Sequence, residues 1–152
     1  MARPAATTTR RRTATRILLA ILAIATLATT ASACNASEES LEAFYHLNRE
    51  RVSRGLRPVN WDDQLSDKAQ RWARQMADAN QLSHSVLTEG VGAGWRYLGE
   101  NVGQGGSIKA VHNGFMNSKP HRDAILGKQY REAGIGVVVR DGVVWVAQVF
   151  KG

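Results

Sequence analysis

The apolar positions divide the chain near residue 34. Ahead of it, an apolar run from Ile17 to Ala28 follows a basic stretch holding Arg3, Arg10, Arg11, Arg12 and Arg16, and no acid occurs before Glu38. At about 12 residues the run is shorter than the roughly 20 that span a bilayer, so it reads as an export signal rather than a stable anchor. Behind it the pattern becomes periodic. Asn35, Ser37, Glu38 and Glu39 form a helix start, and Leu41, Phe44, Leu47, Asn48 and Val52 recur at helical steps until Gly55. Pro58 and Asn60 make a connection. Asp62 then caps a second helix, with Leu65, Ala69, Trp72, Ala73, Met76 and Ala79 as its apolar stripe and Lys68, Arg71, Arg74 and Asp78 opposite. Trp72 and Met76 are expected to pack in the core.

From Leu82 to Ser107 the periodicity breaks at Gly90, Gly92, Gly94, Gly99, Gly103, Gly105 and Gly106, which predicts a loop with a short strand near Glu100 to Val102. Ser107 can cap a third helix that runs to about Asn117 and is stopped by Lys119-Pro120, with a turn from Arg122 to Gly127 after it. The last two runs, Ile135 to Arg140 and Val143 to Phe150, flank Asp141-Gly142, a hairpin signal because both turn residues must take positive φ. Both runs are apolar at nearly every position. That pattern predicts a sheet buried on both faces, with helices on either side.

Charge and cysteine change this picture in two ways. The formal net charge of +7 suggests an anionic partner, but five of the 20 Lys and Arg precede Cys34, leaving 15 against 13 acids in the remainder. Nucleic acid therefore loses its main support as a partner. A single cysteine excludes an internal disulfide, and the remaining chain of about 118 residues suffices for one core. The expected domains are a signal peptide over 1–34 and a single domain over 35–152. Ala31-Ser32-Ala33 directly before Cys34 fits two processing routes: lipidation of the Cys34 thiol, although Ala31 stands where a lipobox usually has leucine, or plain secretion. Thr9-Arg10-Arg11 is followed by Thr13 and Ala14, where a twin-arginine signal wants bulky apolar residues. In either case the location is extracytoplasmic, and membrane contact runs only through a lipid anchor.

The candidate chemistry is sparse. The histidines are His46, His84, His112 and His121, with no His-x-x-x-His or Cys-x-x-Cys spacing among them. His46 and His112 fall in helices, as packing or solvent-facing residues. His84 and His121 fall where they can converge on a cleft, and Glu100 is the sole acid between Gly90 and Arg122. The stretch Gly103-Gln104-Gly105-Gly106-Ser107 lacks the lysine of a phosphate loop, and no Gly-x-Ser-x-Gly elbow accompanies it. Asn48, Arg51 and Gln148 are polar among apolar neighbours and read as scaffold. Arg122 reads as a solvated surface residue, with attraction of an anionic headgroup as its other reading.

Leu47-Asn48-Arg49-Glu50-Arg51, Gly55-Leu56-Arg57-Pro58, Ser83-His84-Ser85, Gly99-Glu100-Asn101, Phe115-Met116-Asn117-Ser118, His121-Arg122, Ile125-Leu126, Glu132 to Val137 and Gln148-Val149-Phe150 occur in an order and spacing that together carry information. They resemble the bacterial branch of the CAP (SCP-like) superfamily, related to cysteine-rich secretory proteins, antigen 5 and plant pathogenesis-related proteins. The resemblance implies an α/β fold: a single-domain three-layer α/β/α sandwich with a central, mainly antiparallel sheet. It also implies a ligand cleft built from His84, Glu100, Ser118 and His121, where Ser118 falls near the position of the second glutamate of many eukaryotic members, which leaves a His-Glu-His set at most. His84 and His121 are the implied metal ligands, and two imidazoles with one carboxylate suffice for zinc or another divalent cation with an open position. A glutamate that instead holds a histidine would orient its ring. No catalytic residue is assigned. The expectation is a monomeric, non-catalytic binder of a cell-envelope glycan or lipid-like ligand. The alternatives are a metal-assisted hydrolase of peptidoglycan or peptide with Glu100 as base, and an adhesion or interaction module.

Overall fold

The computed structural model describes residues 1–2 and 36–152; the apolar run of the expected export signal, Cys34 and Asn35 lie outside the described residues. Helix α1, Glu38–Ser53, begins where the Ser37 hydroxyl accepts from the Ser40 amide at 3.2 Å, with Glu38 and Glu39 at the positive end of its dipole. Its buried face is not the expected stripe. Ser40, Ala43, His46, Leu47 and Arg51 turn inward, while Leu41 and Val52 are exposed. Arg51 takes the inner position because its Nε donates to Arg57 O at 2.9 Å and its Nη1 to Ile125 O and Gly127 O at 2.7 and 3.0 Å. Asn48 holds both backbone groups of Val59, and Gln148 accepts from Asn101 Nδ2 at 3.2 Å, so all three polar residues serve the scaffold.

Strand β1, Asn60–Trp61, is too short to leave a period in the sequence and was not expected; it pairs parallel to β3, Glu132–Arg140. Helix α2, Asp63–Ala79, starts at the Asp62 cap, whose carboxylate accepts from the Leu65 amide at 2.8 Å. It ends at Asn80 in the left-handed region, with φ of 49°. Strand β2, Leu98–Gly105, runs well beyond the expected Glu100 to Val102 and absorbs Gly103 and Gly105. Those glycines make room for α3, Ile108–Asn117: a Cβ on Gly103 would meet the Phe115 ring at 2.6 Å. Ser107 caps α3 as expected, accepting from the Ala110 amide at 3.1 Å. Lys119-Pro120 does more than end α3. It opens α4, Lys119–Ile125, where proline is tolerated because a first-turn N–H has no helical acceptor.

Strand β3 and β4, Val143–Lys151, form the predicted hairpin, with φ of 50° at Asp141 and 75° at Gly142. The strand order is β1-β3-β4-β2, antiparallel except for β1 beside β3. Alternation along β4 feeds two cores. Trp145, Ala147 and Val149 meet Leu65, Ala69, Ala73 and Met76 of α2, whereas Val144, Val146 and Phe150 share a cluster with Leu47, Val111, Phe115 and Ile125. The result is a three-layer α/β/α sandwich, with α2 on one face and α1, α3 and α4 on the other. Because β1 is short, β3 has unpaired backbone beyond it; the Gln70 amide closes part of that edge by bonding Val137 N and O, both at 3.0 Å.

His46 and His112 are packing residues, and they pack on each other. Their rings stack at 5.3 Å between α1 and α3, 8 % and 4 % exposed, and His46 Nδ1 and both His112 ring nitrogens lack hydrogen-bond partners among the described residues. Burial, then the neighbouring His46, pushes the His112 pKa down against the opposing pull of Glu50. The native state thus favours neutral His112, and the unfolded chain binds the extra proton first. Stability is expected to be complete above the ordinary histidine range near pH 6.5 and to fall as pH drops through and below it. Thermal unfolding should show a shallower loss between pH 7 and 5 in His112→Phe than in the unaltered chain; equal slopes would contradict this assignment.

Candidate functional site

The site straddles the sheet edge at β2. Successive side chains of a strand point to opposite faces, so Glu100 and Asn101 reach toward different helical layers. Glu100, paired with Val149, lies on the α2 side. Its side chain is 3 % exposed, and its Oε1 accepts from His84 Nδ1 at 2.8 Å and the Ser85 amide at 2.9 Å, while its Oε2 accepts from Ser85 Oγ at 2.5 Å. Asn101, paired with Gln148, lies on the other side and donates to the backbone carbonyl of His121 at 3.1 Å. One edge strand therefore positions both histidines.

The loop that carries His84 is pinned from α2 as well. Trp72 Nε1 donates to Ser83 O at 2.7 Å, and Lys68 Nζ donates to Val86 O at 2.8 Å. Trp72 does pack against the α2 core as expected, but its indole N–H has this second task. Lys68 is not on the solvent side: it is buried, and burial pushes its pKa down while Glu100 and Glu89 pull it up. Beneath the loop a cavity of about 210 Å³ is lined by Lys68, Arg71, Trp72, Gln75, Ser85 and Glu89, among others. The far end of the loop is tied down where Arg96 N and Tyr97 N both donate to Gly152 O, at 2.7 and 2.9 Å.

On the other side of β2, helix α4 presents His121. Its Nδ1 lies 2.9 Å from Ser118 Oγ, so the serine acts on the ring by hydrogen bonding without adding charge. The His121 ring also lies 5.1 Å from that of Phe115. Burial, then the nearby His84, pushes the His121 pKa down, which favours the neutral ring. Arg122 is half-buried rather than fully solvated and donates to Met116 O at 2.8 Å, which fixes the turn into α4.

Of the four expected cleft residues, His84 is bonded to Glu100 and His121 to Ser118. A carboxylate can only accept, so His84 Nδ1 carries a proton and its Nε2 is left free in the neutral ring. His84 is 62 % exposed at its side chain and projects into solvent. The donor set does not match catalytic zinc, which takes three protein ligands. Among the described residues no group of three or more His, Cys, Asp or Glu side chains is placed to hold an ion. Glu100 faces away from that task, with both oxygens held by His84 and Ser85.

Ser85, Lys68, Trp72 and Asn101 were missed as parts of the site. Leu65, Lys68, Ala69, Trp72, Ala73 and Met76 follow helical spacing closely enough to have put Lys68 on the inner face, but a lysine reads as solvent-facing unless its head has a buried acceptor. Ser85 and Asn101 each adjoin an expected residue.

The profile of the family described as CAP: Cysteine-rich secretory protein family matches residues 44–150. The uncharacterized protein YkwD of Bacillus subtilis (strain 168) is 32 % identical over 110 residues, which is 66 % of this chain and 42 % of that protein. An extracellular protein containing an SCP domain from Bacillus anthracis str. Ames superposes with a TM-score of 0.62 at 29 % identity, over 74 % of this chain and 40 % of that one. An outer surface protein from Borrelia burgdorferi, at 16 % identity, shares the fold with a TM-score of 0.67 over 77 % of this chain and 94 % of its own. The chain thus spans less than half the length of both Bacillus relatives. The extent of the family match and the shared sandwich agree: this chain belongs to the CAP superfamily, in its bacterial branch.

Proposed function

We propose that the domain is a non-catalytic, extracytoplasmic binder of a cell-envelope glycan or lipid-like ligand, taken in the cleft between His84 and His121. The observation that carries this reading is the commitment of Glu100. A general base must reach a water or substrate proton, and here the carboxylate is shut from solvent and spends both oxygens on His84 and Ser85. It is a positioning residue. Among the described residues, the metal-assisted hydrolase with Glu100 as base lacks both a free base and a third ligand.

The exposed His84 ring and the half-buried His121 ring suit recognition of hydroxyl-rich or amphipathic molecules, because a neutral imidazole both donates and accepts. An extracytoplasmic location is supported by the export signal and by the extracellular description of the Bacillus anthracis relative. Cys34 is the proposed point of lipid attachment, and the domain acts as a monomer.

Retention of envelope fractions by the purified protein tests the reading. Glycan and lipid fractions from a bacterial envelope should be held by the unaltered chain and released by the His84→Ala, His121→Ala pair, with about tenfold or greater loss, the equivalent of one charged or two neutral hydrogen bonds. Equal retention by both would move binding to a surface outside the cleft, as an adhesion module requires. Metal-dependent release of cleaved wall fragments would select the hydrolase instead.

A further inference from the structure

A second cavity, of about 330 Å³, lies between the C-terminal end of α1 and the segment joining α4 to β3. Arg51, Arg57, Lys128 and Arg131 line it together with Gly55 and Leu56, and no acid does. Four described cations elsewhere pair with carboxylates: Arg54 with Glu50, Lys119 with Asp123, Arg140 with Asp78, and Lys151 with Asp62 and Glu132. Among the described residues none of the four cations around this cavity has such a partner.

Arg51 makes the deficit specific. It is 1 % exposed, and its Nε and Nη1 donate only to backbone carbonyls, while Nη2 has no acceptor among the described residues. A buried guanidinium ordinarily has a carboxylate beside it. Here the nearest charged influence is another cation: Arg131 adds to burial in disfavouring the charge on Arg51. Arg131 is itself held in place, its Nη1 donating to Lys128 O and Tyr130 O at 2.5 and 3.1 Å. Arg51 and Arg131 are thus held beside an open volume before any ligand arrives.

We propose that this cavity is an oxyanion site that takes a phosphate group, presented either as free phosphate or as the headgroup of an anionic phospholipid. Phosphate fits better than a carboxylate because its charge and its several acceptor oxygens can engage guanidinium forks and an ammonium together. The site shares no residue with the His84 and His121 cleft, so either can fail without the other.

Inorganic phosphate, with chloride at matched ionic strength as control, is the first probe, read by calorimetric titration and by thermal shift. Phosphate should bind and raise the unfolding temperature, and Lys128→Gln with Arg131→Gln should weaken binding by about tenfold or more. Both positions are exposed, so the pair is expected to fold; Arg57→Gln is the independent variant. The second probe is sedimentation with phosphatidylcholine vesicles, with and without phosphatidylglycerol. Variant-sensitive sedimentation with the anionic vesicles alone identifies the headgroup; phosphate binding without it identifies the free anion. Phosphate no better than chloride, or binding unchanged in both variants, overturns the proposal.

Discussion

Glu100→Ala is expected to detach the His84 segment from the sheet edge, reduce cleft binding at least about tenfold and destabilise the fold by roughly 2–4 kcal/mol. Three donors lose their acceptor at once: His84 Nδ1, the Ser85 amide and the Ser85 hydroxyl. Hydrogen bonds to a charged group contribute about 1.5–3 kcal/mol each, and Ser85 is partly buried, so its amide has little water to turn to. Trp72 and Lys68 still hold Ser83 O and Val86 O, which confines the loosening to His84 and Ser85. Glu100→Gln keeps the volume and one acceptor oxygen, and should recover much of the stability but less of the binding. A catalytic base would behave differently, since its glutamine variant keeps binding and loses turnover. Thermal unfolding together with envelope retention separates the two patterns, and binding unaffected in Glu100→Ala would remove the assigned role.

The second large effect lies beneath the site. Gly136→Ala is expected to destabilise the domain by about 3 kcal/mol or more, because a Cβ there would stand 2.2 Å from the backbone of Ala69 and Gln70. Backbone cannot swing aside as a long side chain can. The whole of α2 would have to lift, and α2 carries Lys68 and Trp72, which hold the His84 loop. Gly134 faces α2 in the same way, at 2.1 Å from Leu65 C and Ser66 N. Gly114, exposed within α3 with nothing near its missing Cβ, supplies the control: Gly114→Ala should stabilise by up to about 1 kcal/mol through helix propensity. Denaturant unfolding of the two variants checks both signs, and a neutral Gly136→Ala would contradict the close approach of α2 to β3.

Much of this architecture could be read in advance where a local rule dominates. Asp62 and Ser107 cap their helices because their side chains meet free amides, and Asp141-Gly142 turns the hairpin because both residues accept positive φ. The contacts of His84 with Glu100 and of His121 with Ser118 join residues that the short motifs single out. Legibility failed where tertiary partners decide. Two residues of β1 carry no period, and the glycines of β2 disguise a strand whose small residues admit Phe115 and Val111. Leu41 and Val52 match the apolar stripe of α1, but Arg51 claims the inner face through carbonyls more than 70 positions away in the chain. The stacking of His46 on His112 likewise joins two helices that only the folded chain brings together.

The central claim is that His84 and His121, held on opposite banks of one edge strand, form a single ligand cleft that binds without turnover. Imidazole resonances of the labelled protein, followed by NMR while envelope glycan and lipid fractions are added, test it most directly. The account predicts that the His84 and His121 signals shift together on addition of one fraction, that the buried His46 and His112 signals stay in place, and that the added material is recovered intact. Signals of His84 and His121 that remain unmoved in a fraction the protein retains, or recovery of cleaved material, would contradict it.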